Sequence, residues 1–143
     1  MIREIQPGDC PAVAGFWRDC LDVPAATDES VRRTLEKMRA DDRYFTYVAE
    51  EDGRVVGFIT CVEVFSFDDP DGYVKINGLA VEPEYRGRGV GTRLIARAEQ
   101  TARERGSNSI GVASVFKRTR THELYERLGY KKSAYWFHKN FGG

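Results

Sequence analysis

Apolar positions recur along the chain with two periods. At a spacing of three to four residues, Val13, Phe16, Trp17 and Leu21 predict a helix over roughly 11–22, with Asp9 as its cap. Thr27-Asp28-Glu29 opens a second helix with Val31, Leu35 and Met38 facing inward. Val90, Leu94, Ile95, Ala98 and Ala102 mark a third, which Gly106 ends. Thr121 to Leu128 is a fourth, closed by Gly129. Strand-like stretches fill the intervals: Ile2 to Ile5, Tyr44 to Glu50, Arg54 to Val64, Tyr73 to Val81, Ser109 to Val115, and an aromatic run from Tyr130 to Phe141. Asp52-Gly53 is a hairpin turn signal, and Asp69-Pro70-Asp71-Gly72 should break the chain. The order β-α-α-β-β-β-α-β-α-β joins strands both by hairpins and by helical crossovers. It predicts an α/β fold with a central, mostly antiparallel mixed sheet and helices on both faces.

At 143 residues this is the length of one domain, 1–143, and no repeat or linker divides it. The 22 basic and 22 acidic residues cancel, which argues against a nucleic-acid partner or an anionic membrane. No run approaches the roughly 18 apolar residues of a membrane span. The N-terminal residues Met1 to Ile5 do not read as a secretory signal. Three cysteines (Cys10, Cys20, Cys61) fit no metal-ligand spacing and read as reduced thiols, so a cytoplasmic setting without a metal is expected.

The strongest chemical signal is Val81-Glu82-Pro83-Glu84-Tyr85-Arg86-Gly87-Arg88-Gly89-Val90-Gly91-Thr92, lying between a strand and an amphipathic helix. Alternate glycines let backbone approach a ligand, and a helix start offers unpaired N–H groups to an anion. Arg86 and Arg88 add charge and Thr92 a hydroxyl. The turn is no P-loop, since no Gly-Lys-Ser/Thr follows, and its glycines do not have dinucleotide-fold spacing. A plain turn into a helix would need no such arginines on both sides of Gly87.

At these residues the chain resembles the GNAT N-acetyltransferase superfamily, whose Arg/Gln-x-x-Gly-x-Gly/Ala motif is matched by Arg86, Gly89 and Gly91. The resemblance covers nearly the whole chain in element order. It implies acetyl-CoA as cosubstrate: amides over Arg86, Gly87, Arg88, Gly89, Val90 and Gly91, with Thr92, hold the coenzyme A pyrophosphate. The strand Leu79-Ala80-Val81 pairs with the pantetheine arm, and the Leu79 N–H donates to the thioester oxygen. Thr121-His122-Glu123-Leu124-Tyr125, ending in Gly129-Tyr130, is similar to the family's second motif. Arg118 stands where many members carry Asn, so Lys117 or Arg118 is a further phosphate contact. This stretch is similar to aminoalkylphosphonate and aminoglycoside acetyltransferases.

The implied reaction is transfer of an acetyl group to a primary amine by direct attack. The alternative is a non-catalytic acyl-CoA-binding regulatory module. The departing coenzyme thiolate, with a thiol pKa near ~8.5, needs a proton, and a phenol near ~10 still carries one at neutral pH. Tyr125 is placed to give it, or else only packs beneath its helix. A lysine-like amine, with a pKa near ~10.4, costs ~4.6 kcal/mol to deprotonate at neutral pH. Glu63 is the first candidate base, and Asp68, Asp69, Asp71 and Glu82 follow. Asn77 could orient a water or the substrate, Gly78 marks a bulge, and Trp17 and Phe65 are candidate walls of the acceptor site. His122 is a helix-surface histidine or an approach to the coenzyme. The partner is then a small-molecule or peptide amine, and the resemblance is compatible with a homodimer.

Overall fold

The computed structural model describes residues 1 to 142. The elements are β1 (Ile2–Glu4), α1 (Cys10–Asp19), α2 (Asp28–Arg39), β2 (Tyr44–Glu51), β3 (Arg54–Ser66), β4 (Asp69–Val81), α3 (Val90–Glu104), β5 (Ile110–Val112) and α4 (Thr119–Arg127). Two single 3-10 turns, Pro7–Asp9 and Pro83–Tyr85, precede α1 and α3. The chain falls into two compact units, Met1–Val112 and a shorter one that begins at Ala113.

The first unit is a sheet of order β1-β2-β3-β4-β5, antiparallel except for the parallel β4–β5 pair. Asp52 (φ 53°) and Gly53 (φ 75°) close the β2–β3 hairpin, as the Asp-Gly pair predicts. Strand alternation divides the core. Val48, Phe58 and Ala80 meet Val13, Phe16 and Leu21 from the α1 region. On the other face lies α3, which buries Leu94, Ile95 and Ala98. Gly57 lets α3 approach: a Cβ there would sit 2.9 Å from the Ala80 carbonyl oxygen and 3.2 Å from Leu94. The Tyr47 hydroxyl bonds Thr101 Oγ1 at 2.6 Å beneath the same helix.

Three expectations are corrected in this unit. Asp9 does not cap α1, because its own backbone is already helical (φ −86°, ψ −10°). Its carboxylate instead accepts from the Gln6 amide at 2.7 Å and from Arg3 at 2.8 and 3.0 Å. Asp69 to Gly72 do not end a strand. The chain reverses at Phe67 and Asp68, and residues 70 to 72 bulge opposite Phe65, with Gly72 at φ +79°. The fifth strand is Ile110–Val112 rather than Ser109 to Val115, since only those residues pair with β4.

In the second unit, α4 closes at Gly129 (φ 92°), whose amide donates to Glu126, while the Tyr130 amide returns to the Tyr125 carbonyl. Tyr125 is buried, its ring 5.3 Å from that of Tyr130. The strand expected from Tyr130 to Phe141 is absent: residues 130 to 142 hold no ladder. Tyr135, Phe137 and Phe141 are exposed. Alternation along a segment marks a face to be covered, but a strand also needs an edge to pair with, and sequence alternation does not supply one.

Burial alone would raise the Asp9 carboxyl, but the bonds from Arg3 and the Gln6 amide outweigh it and hold it below its ordinary value. A depressed carboxylate stabilises the fold above its unfolded pKa and loses that contribution as pH falls through the folded value. Asp9→Asn should therefore cost about 1–3 kcal/mol at neutral pH in urea unfolding. The loss should shrink as the wild type is acidified below its unfolded carboxylate range. An unchanged midpoint at neutral pH would contradict this role.

Candidate functional site

The site is built on the middle of β4. Thr60 on β3 faces Gly78, but the next residue, Cys61, faces Ile76, so Asn77 is an extra residue in β4. This is the bulge that Gly78 foreshadowed. The parallel ladder to β5 ends at the Ile76–Val112 pair. From Asn77 onward β4 pairs with β3 on one edge, while its other edge has left β5. Alternation sends Gly78 and Ala80 to the α1 face and Leu79 and Val81 to the α3 face. Gly78 is also a fitting point: a Cβ would lie 2.8 Å from the Trp17 indole.

β4 then runs through the Pro83–Tyr85 turn into α3. Arg86 folds back, its Nε donating to the Val81 carbonyl at 3.1 Å. Gly87 (φ 77°) and Gly89 (φ 80°) take left-handed backbone, and Gly89 is the N-cap of the 15-residue α3. Arg88, Gly89 and Gly91 complete the loop, and the first amides of the helix, from Val90, Gly91 and Thr92, have no partner within it. A Cβ on Gly87 would meet nothing within 4 Å. Tyr85 is buried as the pivot, its hydroxyl donating to Asp52 at 3.1 Å and its ring stacked by Arg54 and Arg88 at 5.7 and 4.9 Å. Burial, then the Asp52 bond, pushes its phenol up. Arg93 is held by Glu51 at 2.8 Å and by the Arg88 carbonyl at 3.2 Å. An exposed glycine cradle at a long helix's positive end, rimmed by Arg88, fits a pyrophosphate.

A cleft of about 680 Å³ opens on the α1–α2 face of the sheet. Trp17, Phe58, Thr46, Thr60 and Asn77 are among its lining. Asn77 is therefore brought together with Trp17 beside the bulge. Glu63 is not: it pairs with Arg105 at the end of α3, Oε1 to Nη1 at 3.6 Å, and is not among the cleft's lining. The acidic hairpin does not form its mouth either. Asp68 accepts from Ser66, Asp69 from Asn108, and Phe65 is 57% exposed beside Gly72. Glu82 is held by Arg54 at 3.3 Å. The buried Thr46–Thr60 pair, Oγ1 to Oγ1 at 2.8 Å, was missed as a site feature. Its only signal in the sequence was a threonine at an inward strand position on each of two neighbouring strands.

Burial pushes Cys61 up to about 12 and raises Cys10 and Cys20 as well. Among the described residues no three His, Cys, Asp or Glu side chains gather to hold a metal. No helix among them is long and apolar enough to cross a membrane. In the second unit, Arg118 is the residue before α4 and accepts the His122 amide at 3.1 Å, and His122 is half-buried.

The model of the acetyltransferase (GNAT) family matches residues 11–130. The chain belongs to this family. As a GNAT enzyme it is an acetyl-CoA-dependent N-acetyltransferase. It is similar to a thialysine N-epsilon-acetyltransferase of Bos taurus, with 29% identity over 90% of this chain and 82% of the other. It is also similar to an aminoalkylphosphonate N-acetyltransferase of Salmonella typhimurium, with 35% identity over 64% of this chain and 60% of that one. Among solved structures, the aminoglycoside N-acetyltransferase AAC(6')-Iy in complex with coenzyme A superposes with a TM-score of 0.84. There the identity is 21%, over 99% of this chain and 95% of that one. That likeness is one of fold.

Because a Cβ on Gly87 meets nothing in the protein, Gly87→Val should cost the fold only its left-handed backbone penalty, about 1–2 kcal/mol. Calorimetry should nevertheless show coenzyme A binding weakened at least tenfold, beyond what that stability loss explains. Unchanged affinity would remove Gly87 from the binding site.

Proposed function

We propose that this acetyltransferase moves the acetyl group directly from acetyl-CoA to a primary amine, with both substrates bound together. The observation that carries the reading is continuous chain: the β4 edge freed after Ile76 leads straight into the glycine turn at the head of α3. Acetyl-CoA supplies the activated acetyl thioester. Leu79, Ala80 and Val81 line the coenzyme's arm along that edge, and amides of the loop from Arg86 to Gly91, with the Thr92 hydroxyl, take its phosphates. Arg118 adds a basic side chain in the second unit.

The Leu79 N–H is the donor offered to the carbonyl oxygen as it gains charge. Asn77 reaches into the α1–α2 cleft and orients the amine or a water that accepts its proton. Glu63 would have to release Arg105 before it could serve as base. Tyr125 donates the proton that the departing thiolate needs. The cleft beside Asn77 is the acceptor site. With no thiol activated, direct transfer needs no covalent enzyme intermediate.

Tyr125→Phe tests the acid. Turnover should fall on the order of 10²–10⁴-fold, the usual range for a positioned proton donor. Coenzyme A affinity, read by calorimetry, should change less than twofold. A variant with wild-type turnover would refute the role, and one that lost coenzyme affinity instead would reassign Tyr125 to binding.

A further inference from the structure

The acceptor cleft carries information about what enters it. Resting on the reading of that cleft as the acceptor site, we infer that the amine it takes is a monoamine on an apolar body, an alkylamine or arylalkylamine, rather than a polycation or an amino sugar. The first argument is the lining. The walls are Val13, Trp17, Val31, Leu35 and Met38, and Phe58 lies in the floor. A volume of about 680 Å³ falls in the range of ordinary small-molecule pockets. Walls of this kind gain by desolvating hydrocarbon. Ser30 and Thr34 of α2 also line the cleft, but their hydroxyls donate to the Thr27 and Ser30 carbonyls.

The second argument is charge. Among the described residues, the cleft's lining holds one acid, Asp41, and one base, Lys37. Asp41 already has a partner: Arg43 donates to it from Nη2 at 2.7 Å, from Nε at 3.0 Å and from its own amide at 3.1 Å. Those bonds hold its carboxyl down at about 2. A second or third ammonium in the cleft would thus find no free counter-ion. Glu63 is engaged with Arg105, Asp68 with Ser66 and Asp69 with Asn108, and none of these three lines the cleft.

The third argument is the placement of polarity on the floor. Thr46, Thr60 and Gly78 form one row across β2, β3 and β4. At about 4.8 Å per strand, that row runs roughly 10 Å to the bulge. One of the two threonine hydroxyls donates to the other. Asn77 is the side-chain amide at the bulge end, with Trp17 beside it, while Val31, Leu35 and Met38 are carried by α2. The polarity fits one amino group at Asn77 with its apolar body lying toward α2.

The test measures kcat/KM for n-hexylamine and 2-phenylethylamine against spermidine and kanamycin, by thiol release from acetyl-CoA. Calorimetric titration of each amine into the coenzyme A-bound protein runs alongside. Both apolar amines should exceed both polycations at least tenfold in kcat/KM and in affinity. Val31→Asp, which adds an unpartnered carboxylate to the wall, should cut that preference at least tenfold while leaving coenzyme A affinity unchanged. Equal or better use of spermidine or kanamycin by the wild type would overturn the inference and leave the acetyltransferase reading intact. Selective binding of the apolar amines without transfer would overturn the reading of the cleft as the acceptor site, and the inference with it. Failure of the apolar amines to bind would overturn the inference.

Discussion

A single extra residue in β4 sets the rest of the structure. Because Asn77 has no counterpart in β3, the strand changes register where its parallel ladder to β5 ends. A strand paired on both edges has no backbone to offer a ligand. The bulge frees one edge and turns Asn77 into the cleft. It also leaves at the next position a glycine, against which Trp17 lies too close for any side chain. The free strand edge, the place of Asn77 in the cleft and the close packing of Trp17 all meet at one local irregularity.

The zero net charge has a similar local resolution. From Tyr85 to Arg105 there are six arginines against two glutamates, and from Cys61 to Tyr73 four acids and no base. These runs look like a cationic cofactor site facing an anionic substrate site, but the acidic run does not line the α1–α2 cleft. Asp68 and Asp69 are tied to Ser66 and Asn108, and Glu63 pairs with Arg105 at the end of α3. Arginines of that run are engaged too: Arg93 with Glu51, Arg86 with the Val81 carbonyl. What remains for phosphate is mostly oriented backbone, with Arg88 stacked on Tyr85 at its rim.

Much of this was legible from residue order, because the decisive features are local. The helical stripes, the Asp-Gly hairpin and the glycine turn each act within a few residues of themselves, and each appears where its pattern placed it. Gly78 announced the bulge for the same reason. What sequence could not show depends on partners distant in the chain. The aspartates from 68 to 71 have turn chemistry, yet the reversal falls at Phe67 and Asp68. The aromatic run after Tyr130 has strand alternation but no edge to join. Glu63 has the right charge on the right strand, but its face follows from the β3 register, and on that face α3 brings Arg105 to it. The Thr46–Thr60 pair exists only through the β2–β3 register.

The central claim is that the backbone from Leu79 to Thr92 is the coenzyme site. Amide hydrogen exchange, followed residue by residue with and without coenzyme A, tests it most directly. The account predicts strong slowing at Leu79 or Val81 and across residues 87 to 91, with the β2–β3 hairpin unchanged. Saturating coenzyme that left those amides exchanging at their free rates, and slowed others instead, would contradict it.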